Sequence, residues 1–312
     1  MEADRQTALR LVTAVLNLAV AVLTGAAMSR LWLVRDASTW ARARREPVRR
    51  LALAAAAVAL AADLGLLWLE SAAMAEVPVV QAAAATWSML TATHFGLAWS
   101  IGMLGLVLGA AASLIRGDGH RGPALATLAS LALYWYTRSM VSHAASQGDF
   151  SLSVLADWAH LGFVSLWLGE VMVAGGIILT NSGAMAAADR HARAAYVGAL
   201  SSSAILALAG IVITGGYAAW RNLDGWESLA GTPYGKTLLA KLLLVGAAAA
   251  LGGFNRLFVM PPWLAFESTG KAAPPRLPAR FRRVLFIEAL VLLAVLVLAA
   301  WLASSSPTGN QI

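Results

Sequence analysis

Cysteine is absent from this 312-residue chain, which removes disulfide frameworks, thiolate metal sites and covalent haem attachment. Charge is nearly as scarce. Asp, Glu, Lys and Arg make up 12% of residues, 59% are hydrophobic, and the mean hydropathy is +0.70. No soluble domain of this length carries so little charge, so the chain reads as an integral membrane protein. A Gly-x-x-x-x-Gly-Lys-Ser/Thr phosphate loop is also missing, so no ATP drives the protein directly. The start, Met-Glu-Ala-Asp-Arg, is a poor signal-peptide opening. The apolar run behind it, from about Ala8 to Trp32, is long enough to be retained as a spanning helix.

Windows of about 20 apolar residues per span predict an all-α polytopic membrane helix bundle, a single integral membrane domain over 1–312. Eight transmembrane helices are expected, at 8–33, 51–73, 84–114, 123–142, 153–180, 194–218, 237–259 and 284–304. An even count puts both termini on one side of the lipid bilayer. Lys and Arg identify that side. Of the 23 in the chain, 17 fall in or beside alternate connections, from Arg30–Arg50, Arg116 and Arg121, Arg190 and Arg193, to Arg256–Arg283. The other side has only Arg5, Arg10, Arg138, Arg221, Lys236 and Lys241. Both termini are therefore expected outside, and the net charge of +7 is a topology signal, not a nucleic-acid footprint. Glu70, Glu76, Asp149, Asp157, Asp224 and Glu227 collect at the outer side. They either raise the local cation concentration or supply the polarity any outer surface needs.

Three of the five histidines, His94, His143 and His160, fall on the outer halves of apolar segments. Intramembrane ionisable groups usually face a bundle interior, where they bind or relay something, and His is the commonest side-chain ligand of transition metals. At ~1.5 Å per helical residue, His94 is expected roughly 15 Å deep and His160 roughly 10 Å deep. Asp63 in the second span lies at a similar depth, and His143 at the mouth of the fourth. Asp157, His160, Trp167 and Glu170 share one stripe about 140° wide at 100° per residue. Met140 and His143 are i, i+3 neighbours, so a thioether and an imidazole approach one ion; Met89 is a weaker candidate. His with Met and no thiolate suits copper, His with Asp and Glu suits zinc, and His on two helices could clamp a haem iron. Each also has a structural reading, in which His94 or Asp63 ties helices together and Met140 and Trp167 simply pack.

The stretch from about Ala192 to Pro261 resembles the copper resistance protein D (CopD) family, with residues 192–300 as its core motif region. The resemblance rests on Ser201–Ser203, Gly210 and Thr214-Gly215-Gly216-Tyr217, on Leu229-Ala230-Gly231-Thr232-Pro233-Tyr234-Gly235-Lys236 running to Lys241, and on Asn255-Arg256 before Pro261. Ser142-His143-Ala144, Asp157-Trp158-Ala159-His160-Leu161 and Leu166-Trp167-Leu168-Gly169 are similar to further family elements. Two positions depart: Ser142 replaces a glycine and Glu170 a small residue. The resemblance implies copper transport across the bacterial inner membrane, commonly from periplasm to cytoplasm, with periplasmic termini and a small periplasmic copper-binding partner of CopC type.

The expectation is therefore a multi-pass copper transporter, not an enzyme. His143 and Met140 would meet the copper ion first, and His94 and His160 would hold it deeper, with Asp63 or Asp157 as charge partner. Lys236 and Lys241 repel cations, so the Thr232–Lys241 motif and Asn255-Arg256 read as structural or gating. One alternative is a membrane redox protein binding haem b through His94 and His160. Another is a non-transporting accessory that docks the periplasmic partner.

Overall fold

Uninterrupted Ala/Leu/Val-rich runs, started by Ser or Thr caps and separated by short polar connections, give a structure that is helical throughout its described part. The computed structural model describes residues 2–303 apart from 35, 118, 181–184, 223–226, 228–230 and 269–272. Arg35, Asp224, Trp226, Leu229, Ala230 and Lys271 lie outside the described residues, as do the side chains of Pro233 and Tyr234. The helices are α1 (Glu2–Leu33), α2 (Thr39–Met74), α3 (Ala83–Ala92), α4 (His94–Leu114), α5 (Gly122–Met140), α6 (Leu152–Val173), α7 (Ala187–Asn222), α8 (Pro233–Phe254), α9 (Met260–Ser268) and α10 (Arg276–Ala303). Single π turns, Ala174–Ile178 and Asn255–Val259, continue α6 and α8. Among the described residues there is no strand.

Side-chain caps start four of these helices. Ser38, Thr93, Ser151 and Thr232 accept from the backbone N–H of Ala41, Gly96, Val154 and Gly235, satisfying donors that the first turn leaves unpaired. The basic connections gather at one end of the bundle, and there they tie helices together. Arg30 donates to the Ile115 carbonyl, Arg44 to that of Ile178, and Arg45 to those of Leu33, Val34 and Asp36. Asp189 accepts from Thr39 Oγ1 and the Trp40 N–H, while Glu267 receives Arg193. At the opposite end, Arg221 donates to Gln147 and Tyr136 to the Asp149 carbonyl.

α1 packs against α2 and α6 at the centre. The closest approach is at Gly25 and Gly169, where a Cβ on Gly169 would overlap the Ala21 carbonyl, so only glycine lets these backbones meet. Large apolar side chains such as Leu206 and Ile213 on α7 and Leu242 and Leu243 on α8 stay exposed, as surfaces facing lipid do.

Among the described residues, seven helices are long and apolar enough to cross a membrane. The expected fourth span, 123–142, is helix α5. It packs along α4 and α6 but is not among those seven, because Thr127, Tyr134, Tyr136, Thr137 and Arg138 dilute its hydropathy. The expected third span, 84–114, is two helices. Thr93 is extended (φ −124°, ψ 154°), its hydroxyl donates to the Met89 carbonyl and caps α4, and Gly96 lies directly against the backbone of Met89 and Leu90. His94 is accordingly the first residue of α4 and not an interior residue of one long helix.

Candidate functional site

At the end opposite the basic connections, the ends of α2, α5 and α7 and the start of α6 surround a cavity of 540 Å³. Its ionisable lining is Glu70, Arg138, His143, Asp157, Tyr217 and Arg221. His143 is exposed at the head of the short helical turn His143–Gln147. That turn is set by Ser142, whose hydroxyl accepts from the Ala144 N–H, donates to the Ser139 carbonyl at 2.9 Å and lies 3.2 Å from Asp157 Oδ2. His143 and Asp157 thus line one cavity, with Ser142 between them. Met140, three residues from His143, is not in the cavity lining.

Arg138 is the cavity's counter-charge. It acts electrostatically on Glu70, Asp63 and Asp157, so the mouth is neither a pure acid cluster nor a basic one. Asp63 itself lies deeper on α2, 1% exposed. Its Oδ1 accepts from the Tyr134 hydroxyl at 3.0 Å, and Oδ2 is buried with no partner among the described residues.

One turn beyond Asp157 on α6, His160 packs on α7 beside Gly215. Its Nδ1 lies 2.9 Å from Thr214 Oγ1. The Thr214 hydroxyl has one proton, and the Gly210 carbonyl takes it at 2.6 Å. Thr214 therefore accepts from His160 Nδ1–H, which leaves Nε2 with its lone pair. This is the arrangement by which a second partner orients an imidazole as a metal ligand. Further along α6, Trp167 Nε1 donates to Glu288 at 2.9 Å and Glu170 accepts from Ser203 at 2.7 Å. The stripe on α6 is thus turned inward along its length, against α7 and α10.

The remaining candidates lie elsewhere. His94 is half-exposed, with Nε2 2.8 Å from Asp149 Oδ2, and neither it nor His160 lines the cavity. Met89 is buried against α2, its sulfur 3.0 Å from the Ser71 hydroxyl, which donates to the Leu67 carbonyl at 2.8 Å. Thr232 caps α8, Gly235 is buried, Lys236 is exposed and Lys241 half-buried. Asn255 Nδ2 donates to the Phe281 carbonyl and Arg256 to Ser201 Oγ. Among the described residues no three His, Asp or Glu side chains form a ready metal cluster. Sequence reasoning passed over Arg138 as a site residue and missed Glu288 altogether. The signal for Glu288 was available: a lone carboxylate inside the last apolar run.

Two family models match the chain. Copper resistance protein D covers residues 194–302, and the copper resistance protein D-like N-terminal domain covers residues 3–154. No curated protein and no solved structure matches it.

Proposed function

The chain belongs to the copper resistance protein D family, and from that premise we propose that it moves copper ions across the bacterial inner membrane. The observation that carries the reading is the cavity holding His143 and Asp157, continued one turn deeper on the same helix by His160 with its free Nε2. The cavity donors are imidazole nitrogen and carboxylate oxygen without a thioether, a set that suits Cu(II) at the mouth better than Cu(I). With basic connections cytoplasmic, the cavity opens to the periplasm and the termini lie there too. A membrane potential contributes about 2.3 kcal/mol per charge per 100 mV toward inward movement of a cation. A periplasmic copper-binding protein of CopC type is the expected donor, docking over the His143–Gln147 turn.

Isotopic copper uptake into proteoliposomes, read beside metal content and the optical spectrum of purified protein, tests this. Wild type should bind and move copper, and His143→Ala and His160→Ala should each reduce uptake severalfold. Uptake no faster than in empty vesicles would refute transport. A Soret band lost on replacing His160 would replace it with the haem reading.

A further inference from the structure

Glu288 is an ionisable group that the copper path above leaves unused. It is the sole ionisable residue of α10 beyond Arg283, about 7.5 Å further along the helix at 1.5 Å per residue. It is 2% exposed, and its one hydrogen bond among the described residues, from Trp167, is neutral. No Lys, Arg or His nitrogen among the described residues lies within ion-pair distance of it. A carboxyl held this way inside an apolar bundle is costly, and such residues are functional by default.

Glu288 lines a second cavity, of 120 Å³, walled by α6, α7, the end of α8 and α10. A buried water needs roughly 10–15 Å³ of such space and polar partners, so the cavity admits several waters, and its walls supply the partners. Asn255 commits Nδ2 to the Phe281 carbonyl, so its Oδ1, buried and without a partner among the described residues, is left as a fixed acceptor. Ser201 Oγ accepts from Arg256. Asn255 and Arg256 open the π turn after α8, and the π turn of α6 begins three residues past Val171, another wall residue. Single π turns inside helices concentrate at functional sites.

We infer that this cavity is a proton-exchange site, in which the Glu288 carboxyl takes up and releases a proton through water and so couples proton movement to copper movement. The inference rests on the copper-transport reading. The step is a simple exchange: the carboxylate accepts a proton from a hydrated proton in the cavity, becomes a neutral acid, and returns it to water, with no other reactant. Copper is not the ligand here, because no His or Met lines the cavity and its donors are all oxygen. The charged neighbours are few. Arg256 shares the cavity, and Glu170 lies three residues past Trp167, held by Ser203. α1 has no ionisable side chain between Arg10 and Arg30, and α8 none between Lys241 and Arg256.

The test is proton flux, followed with a trapped pH-sensitive dye in proteoliposomes given a copper gradient, with the potential clamped by potassium and valinomycin. Wild type should move protons in fixed ratio to copper. Glu288→Gln, which keeps the Trp167 hydrogen bond, should lose the proton signal, and Glu288→Asp should retain it. An unchanged ratio in Glu288→Gln overturns the inference. So does wild-type copper flux without proton flux, a result that needs no variant to fold and leaves the transport reading standing. Absence of copper flux in wild type strikes that earlier reading instead.

Discussion

Replacing Tyr134 by Phe should separate a structural carboxylate from a copper ligand. Asp63 is almost fully buried, its Oδ1 holds the Tyr134 hydroxyl at 3.0 Å, and Oδ2 has no partner among the described residues. The substitution therefore strips the sole hydrogen bond from a buried acid while keeping the ring that packs on Gly102. In water-soluble proteins a hydrogen bond to a charged group contributes about 1.5–3 kcal/mol. Between membrane helices, double-mutant cycles average about 0.6 and reach about 1.7 kcal/mol, because the unfolded state also finds partners. Asp63 has no second donor among the described residues, although Arg138 still acts on it electrostatically. A coupling of about 1–1.7 kcal/mol is therefore expected. The assay is a cycle of Tyr134→Phe, Asp63→Ala and the double variant, unfolded reversibly in mixed micelles. Additivity within about 0.3 kcal/mol would refute the hydrogen bond as a tie between α2 and α5. Neither residue lines the cavity, so copper uptake per folded Tyr134→Phe molecule should match wild type. A loss there would return Asp63 to the ion path.

His94→Ala should cost at most about 1 kcal/mol, as loss of an exposed side-chain contact does, and should leave copper uptake near wild type; a loss equal to that of His143→Ala would place His94 in the path. Thr232→Ala should lower stability by about 1 kcal/mol through loss of the cap on α8, with uptake per folded molecule retained; uptake abolished at full stability would make Thr232 a gating residue. Arg138→Gln removes the counter-charge shared by Glu70, Asp63 and Asp157, so copper should bind the cavity more tightly while the bundle loses stability, and calorimetric titration showing weaker binding would contradict this.

Much of the bundle was legible because it rests on local quantities. Span lengths follow from runs of apolar residues, and the segregation of Arg to one end follows from counting. The structure adds that those arginines bond to helix-end carbonyls there. The inward stripe of α6 was readable too, since helical periodicity alone aligns Asp157, His160, Trp167 and Glu170. The break at Thr93 was not. Residues 84–114 read as one apolar run, and the turn depends on a threonine that caps α4 while bonding back to Met89, made possible by Gly96 at a backbone contact. No hydropathy window registers a hydroxyl that serves two backbone partners at once.

The partners of the stripe were equally hidden, and they decide what it does. Nothing in the spacing of His160 predicts that Thr214, 54 residues away, takes its Nδ1 proton, yet that bond is what frees Nε2. Nor does Trp167 announce that its indole reaches across 121 residues to Glu288. Once those contacts are known, the helix divides by chemistry. Its outer part offers imidazole beside carboxylate, a donor set that can hold copper. Its inner part, at Trp167 and Val171, faces a small cavity where Glu288, Ser201 and Asn255 of other segments supply a carboxyl, a hydroxyl and an amide, which can hold water and a proton but not a soft ion. A bundle that had only to carry a metal would gain nothing by burying Glu288 next to Trp167 and Asn255. Its cost in an apolar setting is accounted for if metal and proton use different ends of one helix.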